Sequence, residues 1–159
     1  MSSSRQPNPP TLRDAILRMH VSVLATLIPL LVRWLPLHRV LRMFSGKSQS
    51  KKPSARRASR LYAGISPDRI VQIVRHRLRA PRMMKRRPCL REGLLLFYFL
   101  RRAGFAPILR FAVYPPALDP NRLHAHCWVT LDGQPLNDEP QGEYAVVLTA
   151  GGDQDPHLV

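Results

Sequence analysis

The N-terminal part of the chain combines apolar and basic positions at helical spacing. Between Thr11 and Phe44, apolar residues recur every three or four positions, which predicts helices with an apolar stripe. Proline removes an amide donor and clashes with the preceding turn, so Pro29 and Pro36 are expected to divide this region into two or three pieces. Arginines recur along it at Arg13, Arg18, Arg33, Arg39 and Arg42.

The stretch Val21–Val32 is predominantly apolar and is followed by Arg33. It is shorter than the roughly 20 apolar residues that a bilayer-spanning helix needs, so we expect a buried or interfacial helix kinked near Pro29. A secretory signal is not expected, because Asn8-Pro9-Pro10 follows the first basic stretch and no small-residue cleavage site closes the apolar run. The prediction is a cytoplasmic protein whose N-terminal helix can contact a membrane surface.

Two further helices are predicted by capping residues and periodicity. Ser66-Pro67-Asp68 combines an N-cap, a first-turn proline and an acid at the positive end of the helix dipole. One apolar face then continues to Leu78, and Pro81 is expected to stop the helix. A second apolar helix is predicted over Leu90–Ala103, with Gly104 as its C-terminal stop.

The rest of the chain has the character of β-strands. Strands are predicted over Ile108–Tyr114 and His126–Leu131, and Asp132-Gly133 is typical of a two-residue hairpin turn. The return strand is expected to begin near Pro135, and Tyr144–Leu148 supplies another strand. Helices followed by strands predict an α+β fold with an antiparallel sheet.

A change in composition divides the chain into segments. Residues 45–60 are rich in Ser, Lys and Arg and cannot form a core, so a flexible basic linker is expected there. The predicted organisation is a basic helical region over residues 1–44, this linker over residues 45–60, and a compact domain over residues 61–159.

Charge and cysteine content limit the functions to consider. The chain has 159 residues, with 25 Lys plus Arg against 10 Asp plus Glu and a formal net charge of +15. Such a charge favours anionic partners, whether an acidic peptide, a lipid surface or nucleic acid. Two cysteines, Cys89 and Cys127, make no disulfide framework and indicate a reducing compartment.

Three residues, in chain order, have the character of a thiol catalytic site. Cys89 opens the second apolar helix and follows the basic segment 85–87, and both features stabilise a thiolate. His126 lies on a strand and can act as a base toward Cys89, while Asp138 can orient the imidazole. Because the hairpin brings the strand of His126 beside the segment of Asp138, the sequence permits a triad of these three residues.

Each of these residues also has a rival interpretation. Cys89 can be a small buried apolar residue, and a disulfide between Cys89 and Cys127 would consume the nucleophile. His124 shares a strand face with His126 and is a rival base, and Asp132 is a rival carboxylate, although the turn itself favours Asp there. A zinc site made of these cysteines and histidines is disfavoured, because strand alternation puts Cys127 on the opposite face from both histidines. No metal and no cofactor are predicted.

At these residues the chain resembles the stand-alone leader peptidases of lasso-peptide biosynthesis. These are transglutaminase-like, papain-related cysteine peptidases, similar to the C-terminal domain of microcin-processing proteins. The resemblance covers residues 88–148, and the basic helical region upstream looks like these proteins in composition. The matching segments are Pro88-Cys89-Leu90 with the apolar helix, Leu100–Phe105, Ala125–Val129 and Asp132–Asp138.

The resemblance implies a papain- or transglutaminase-like core with Cys89 as nucleophile, His126 as base and Asp138 as the orienting partner. The implied reaction removes the leader peptide from a lasso-peptide precursor. The implied partners are that precursor, a small separate protein that recognises the leader, and an ATP-dependent cyclase that afterwards closes the macrolactam. Nucleic acid is not an expected partner, because no nucleic-acid motif appears and aromatic residues do not interleave the basic clusters.

Two positions depart from the pattern of the family that the chain resembles. Family members usually have a small pair such as Arg-Ser soon after the Cys-Leu, where this chain has Arg91-Glu92-Gly93. A glutamate there suits the helix dipole but opposes a nearby thiolate. Cys127 stands where alanine is usual.

Two other functions are compatible with the sequence. One is a basic module that binds RNA or an anionic membrane without catalysis, favoured by the charge and the amphipathic N-terminal helix. The other is acyl transfer to an amine by the same triad, with the amine in place of water. In the peptidase interpretation, a positive surface that includes Arg91, Arg101 and Arg102 can attract an acidic leader or the recognition protein, and the alternative is an ordinary solvated surface.

Overall fold

A computed structural model describes residues 12–45, 59, 61–80, 88–114, 125–151 and 154–158, and this part of the chain contains four helices and five strands. The helices are α1 (Leu12–Trp34), α2 (Leu37–Ser45), α3 (Pro67–Leu78) and α4 (Pro88–Ala103). The strands are β1 (Ile108–Val113), β2 (Ala125–Leu131), β3 (Gln134–Pro135), β4 (Ala145–Gly151) and β5 (Gln154–Leu158). The predicted α+β fold, with an antiparallel sheet preceded by helices, is confirmed.

The N-terminal helical region forms two helices that are separated at Pro36. The carbonyl of Pro36 accepts hydrogen bonds from the amides of Arg39 and Val40, at 2.9 and 3.3 Å, and so starts α2. Pro29 lies inside α1 and does not divide it. The preceding residue Ile28 is buried in the core, so packing holds the helix together where proline removes a hydrogen bond.

Helix α3 begins at the capping residues that the sequence contains. Ser66 is the N-cap, because its hydroxyl accepts a hydrogen bond from the Arg69 amide at 3.3 Å, and Pro67 is the first helical residue. The helix ends at Leu78. Pro81, the predicted stop, lies outside the described residues.

Helix α4 starts at Pro88 instead of Leu90, because proline suits the first helical position, where an amide donor would have no intrahelical acceptor. At its other end the helix stops at Gly104, as predicted. The amide of Gly104 donates to the carbonyl of Arg101, and the amide of Phe105 donates to that of Leu100, which together form a Schellman motif.

The sheet has the strand order β3-β2-β1-β4-β5, and all neighbouring strands are antiparallel. Strands β2 and β3 form the predicted hairpin. Its turn residues Asp132 (φ 50°) and Gly133 (φ 80°) both have positive φ, as a type I′ turn requires. Strand β5 was not predicted from the sequence, because it contains Asp155 and Pro156; a proline is tolerated there because β5 lies at the edge of the sheet.

One hydrophobic cluster joins the helices to the sheet. Buried residues of α1 and α2 belong to the same cluster as buried residues of α3, α4, β1, β2 and β4. Asp14 of α1 also accepts two hydrogen bonds from the guanidinium of Arg69 in α3, at 2.7 and 3.1 Å. The boundaries predicted for the three segments stay a prediction, and most of the predicted linker, residues 46–58 and 60, lies outside the described residues.

Helix α1 is longer than the apolar stretch Val21–Val32 suggested. Its 23 residues make it long and apolar enough to cross a membrane, by length and composition alone. The extra length comes from the N-terminal part of the helix, which begins at Leu12 and includes Ile16 and Met19.

Candidate active site

Cys89 is the second residue of α4, and its free thiol is half-buried. The first amides of a helix have no intrahelical acceptor, and together with the helix dipole they stabilise a thiolate. The basic segment 85–87, which was predicted to add positive charge beside this thiol, lies outside the described residues. The described part of the chain therefore gives Cys89 a helix N-terminus and partial access to solvent.

Helix α4 and strand β2 approach each other closely at Gly93. A Cβ atom added there would lie 2.5 Å from Sγ of Cys127 and 3.2 Å from Cδ1 of Leu109, so a larger residue would force the helix or its neighbours to move. Residues four positions apart share a helix face, so Cys89 lies on the same face of α4, one turn nearer the helix start. The close contact brings α4 against the face of β2 that carries Cys127. His126, the preceding residue, belongs to the other strand face by alternation, and among the described residues no hydrogen bond joins Cys89 to His126.

Cys127 is the buried thiol of this contact and is 2% exposed. Burial raises the pKa of Cys127 well above its ordinary value, and the neighbouring Cys89 and Glu92 raise it further. A buried neutral thiol is a poor nucleophile. Both cysteines are free, so no disulfide joins them.

His126 lies at the start of β2 and is half-buried. Its Nε2 atom is 2.7 Å from the main-chain oxygen of Asp138. A carbonyl oxygen can only accept, so Nε2 carries the hydrogen and Nδ1 is left to accept a proton. The imidazole stacks on Trp128, with ring centroids 6.5 Å apart. Trp128 in turn makes an edge-to-face contact with Tyr144. The ring is therefore held in a tautomer that suits a base.

Asp138 meets His126 through its main chain. The hairpin brings the two residues together, and the carbonyl oxygen of Asp138 accepts the hydrogen bond from the ring. Asp138 is an exposed residue. The role predicted for its carboxylate, to orient the imidazole, stays a prediction.

Asn137 fixes the segment that carries Asp138. It is a buried polar residue, and its Oδ1 accepts a hydrogen bond from the Val129 amide at 2.7 Å while its Nδ2 donates to the Cys127 carbonyl at 3.1 Å. The Leu136 amide donates to the Val129 carbonyl at 2.8 Å. The side-chain amide of Asn137 thus continues the pairing along β2 beyond the short strand β3, and it sets the position of the next carbonyl, that of Asp138.

Arg75 of α3 connects the two segments that carry the candidate residues. Its Nε donates to the Glu92 carboxylate at 3.0 Å, and its Nη2 donates to the Leu136 carbonyl at 2.8 Å. Glu92 was the departure expected to oppose a thiolate at Cys89. The ion pair with Arg75 offsets part of its negative charge, although exposure of the arginine limits the strength of that pair.

The rival site residues have different surroundings. Asp132 is exposed in the hairpin turn, where its positive φ suits an Asp side chain. His124 lies outside the described residues. Within the described residues, no three His, Cys, Asp or Glu side chains form a group that could hold a metal ion.

The expected basic surface needs one correction. Arg91 is only 6% exposed, so it does not contribute to a surface that attracts a partner. It lies on the buried side of α4, whereas Arg101 packs over the Phe97 ring at 5.3 Å and the exposed Arg102 packs over Tyr98 at 5.6 Å. Of these three arginines, Arg102 is the exposed one.

Three residues of the site were not identified from the sequence: Gly93, Asn137 and Arg75. A glycine inside an apolar helix costs about 1 kcal/mol relative to alanine, so Gly93 was a visible sign of a close approach. Asn137 follows a hairpin, and asparagine is common there for local reasons that carry no information about burial. Arg75 gave no local signal, since its partners lie in two distant parts of the sequence.

The family comparison agrees with this arrangement of helix and sheet. Residues 22–149 match the model of the transglutaminase-like superfamily. The chain belongs to this superfamily. No curated protein and no solved structure gives a match. The superfamily includes cysteine peptidases and transglutaminases, so the fold is typical of proteins that use a thiol for acyl transfer.

Proposed function

We propose that the protein is a cysteine peptidase in which Cys89 is the nucleophile and His126 is the base. The observation that carries the proposal is a free, half-buried thiol in the first turn of α4, in a chain of the transglutaminase-like superfamily. The hydrogen bond from Nε2 to the Asp138 carbonyl supports the same assignment, because it leaves Nδ1 as the proton acceptor.

In the proposed reaction, Nδ1 of His126 takes the proton of Cys89, and the thiolate attacks the carbonyl carbon of the scissile bond. The main-chain amide of Cys89, at the start of α4, donates to the resulting oxyanion. Collapse of the tetrahedral intermediate breaks the C–N bond and moves the proton from Nδ1 to the leaving amine. Water then attacks the thioester, which releases the N-terminal fragment as a carboxylate and restores the thiol.

The proposed substrate is the precursor of a lasso peptide, from which the enzyme removes the leader. The support is the resemblance over residues 88–148, which includes Pro88-Cys89-Leu90, Ala125–Val129 and the hairpin with Asp138. In this proposal a small recognition protein delivers the leader, and an ATP-dependent cyclase uses the released core peptide. A reducing cytoplasm is the proposed compartment, since the nucleophile must stay a free thiol.

Mass spectrometry of the reaction products tests this proposal. A precursor peptide encoded beside this protein is incubated with the recognition protein and with wild type, Cys89→Ala or Cys127→Ala. We expect wild type and Cys127→Ala to yield a leader and a core peptide whose masses sum to the precursor plus one water. We expect no cleavage with Cys89→Ala, because a methyl group cannot attack the carbonyl.

The two cysteine variants make a matched pair, since each removes one sulfur atom from the same contact between α4 and β2. Cleavage by folded Cys89→Ala at the wild-type rate would overturn the assignment of the nucleophile. A product that joins the leader to an added amine, without the gain of water, would show transfer instead of hydrolysis. An intact precursor with folded wild-type protein would reject the lasso-precursor substrate and favour the noncatalytic basic module.

A further inference from the structure

Helix α1 is apolar on two opposite faces. One face carries Leu17, Val21, Ala25 and Ile28, which are buried in the core. The other face carries large apolar side chains in contact with solvent. They recur every three, four or seven positions, and we call them the outer stripe: Leu12, Met19, Val23, Leu27, Leu30 and Trp34.

The outer stripe is long and strongly exposed. Leu12 and Trp34 at its two ends are each 79% exposed, and the four residues between them are 42–57% exposed. At 1.5 Å per residue, the stripe extends over about 33 Å of helix. A helix that is apolar all round is normally covered on every side, so the outer stripe has the character of a contact surface.

The charges beside the outer stripe are positive. Arg33 is exposed on α1 next to Trp34, and Arg39 and Arg42 are exposed on α2, which follows that end of the stripe. Arg13 instead donates to the Ala63 carbonyl at 2.7 Å, and Arg18, four residues after the buried Asp14, borders the buried face of α1. Asp14 is the acidic residue in α1, and it is buried against Arg69. The surface around the outer stripe therefore offers cations to a partner and no exposed carboxylate from the described parts of α1 and α2.

We propose that the outer stripe of α1 binds the surface of an anionic lipid bilayer. The apolar side chains enter the acyl boundary, Trp34 lies at the level of the headgroups, and the exposed arginines contact lipid phosphates. The helix lies in the plane of the membrane, because its opposite face stays packed on α3 and α4. The proposal does not depend on the peptidase activity.

Charge decides between a membrane and a second copy of the chain. Pairing of two outer stripes would bring the arginines of both copies together, and each copy has a net charge of +15. An anionic bilayer instead neutralises these cations. A spanning orientation would remove Leu17, Val21 and Ile28 from the core and break the ion pair of Asp14 with Arg69, so the in-plane orientation agrees with the packing.

Vesicle co-sedimentation of the full-length protein tests the proposal. The vesicles contain either phosphatidylcholine alone or equal parts of phosphatidylcholine and phosphatidylglycerol. We expect binding to the anionic vesicles, with a loss of roughly tenfold or more in the partition coefficient for Leu27→Glu and for Leu30→Glu. Arg39→Gln is expected to cost about fivefold, the factor that corresponds to about 1 kcal/mol for one arginine near the surface.

Leu61→Glu is the matched control, since Leu61 is 47% exposed in the turn before α3 and lies outside the stripe. It makes the same chemical change and is expected to leave binding unchanged. Circular dichroism and thermal unfolding of each variant establish that it is folded. Trp34 emission should shift to shorter wavelength on anionic vesicles, and Trp34→Phe should abolish that shift, because Trp128 is already buried.

Several results would overturn the proposal. Absence of binding to anionic vesicles at low salt, or equal losses for Leu61→Glu and Leu27→Glu, would reject the outer stripe as a lipid site. Equal binding to neutral vesicles would reject the contribution of the arginines. A dimer in light scattering that Leu27→Glu converts to a monomer would assign the stripe to a second copy of the chain.

Discussion

The candidate site residues and the buried residues around the contact of α4 with β2 have opposite surroundings. Cys89, His126 and Asp138, which we call the open end, are half-buried or exposed. Gly93, Cys127 and Asn137, which we call the closed interior, are buried. Each part contains one cysteine, and only Cys89 combines a helix N-terminus with access to solvent. The two thiols therefore differ in role because they differ in position: the closed interior sets the geometry, and we propose that the open end performs the chemistry.

The largest expected effect is the loss of activity when His126 is replaced, and replacement of Asp138 should cause a much smaller loss. We expect His126→Ala to lower kcat/KM for precursor cleavage by roughly 10³-fold, because this variant lacks the residue that we propose as the base. Asp138→Ala should cost about tenfold or less, because the main-chain carbonyl that contacts His126 remains. This is far below the loss of about 10⁴-fold seen where a carboxylate orients the histidine. An equal loss in both variants would show that the Asp138 carboxylate, not its carbonyl, orients the ring.

Asn137→Ala should lower both the free energy of unfolding and the activity. The change leaves the Val129 amide and the Cys127 carbonyl without their partner, and we expect a loss of about 2–4 kcal/mol in the free energy of unfolding. Activity of the folded fraction should also fall, because the Asp138 carbonyl is no longer held at His126. Urea denaturation and cleavage kinetics measure the two effects. Asn137→Asp places a carboxylate oxygen against the Cys127 carbonyl in a buried site, so at neutral pH its loss should be at least as large as that of alanine, and negligible losses in both variants would contradict this explanation.

A smaller effect is expected from filling the closed interior. Gly93→Ala places a Cβ atom 2.5 Å from Sγ of Cys127, so we expect a loss of about 1–3 kcal/mol in the free energy of unfolding. In a Cys127→Ala background that sulfur atom is gone, and the better helix propensity of alanine should recover much of the loss. Chemical denaturation of the two single variants and the double variant measures this coupling. Purely additive effects would contradict a direct clash between positions 93 and 127.

The smallest expected effect is a loss of stability at alkaline pH. The pKa of Cys127 in the folded protein is raised above its ordinary value of 9.0, mainly by burial. The folded state therefore holds this proton more tightly than the unfolded state. The associated stability is complete below the ordinary pKa and is lost as the pH rises above it. Unfolding curves at increasing pH should show a shallower decline for Cys127→Ala than for wild type; parallel declines would assign the effect to other groups, such as Tyr62, whose pKa burial also raises.

The local signals in the sequence were sufficient for most of the fold. The cap at Ser66, the stop at Gly104 and the turn at Asp132-Gly133 each act within a few residues, so their chemistry can be read without the tertiary structure. The prediction that Pro29 divides the helix is wrong, because tertiary packing of α1 compensates for one missing hydrogen bond. Strand β5 was missed because its pairing with β4, and not its own composition, makes it a strand.

The candidate site residues stay a prediction, and only part of their contacts could be predicted from the sequence. Order along the chain indicated Cys89, His126 and Asp138, and the hairpin explained why the last two meet. Sequence could not indicate that a main-chain atom of Asp138 makes the contact, because the conformation after the turn depends on the buried amide of Asn137. The ion pair of Arg75 with Glu92 likewise joins two helices and leaves no local pattern.

The most direct test of the central claim, that Cys89 is the nucleophile, is to locate the covalent intermediate. Wild type and Cys127→Ala are mixed with the precursor and the recognition protein, quenched in acid during turnover, digested and analysed by mass spectrometry. We expect the leader fragment to be attached to Cys89 as a thioester in both proteins and to be removable by hydroxylamine. The leader attached to Cys127 or to another residue, or turnover by Cys89→Ala at the wild-type rate, would contradict it.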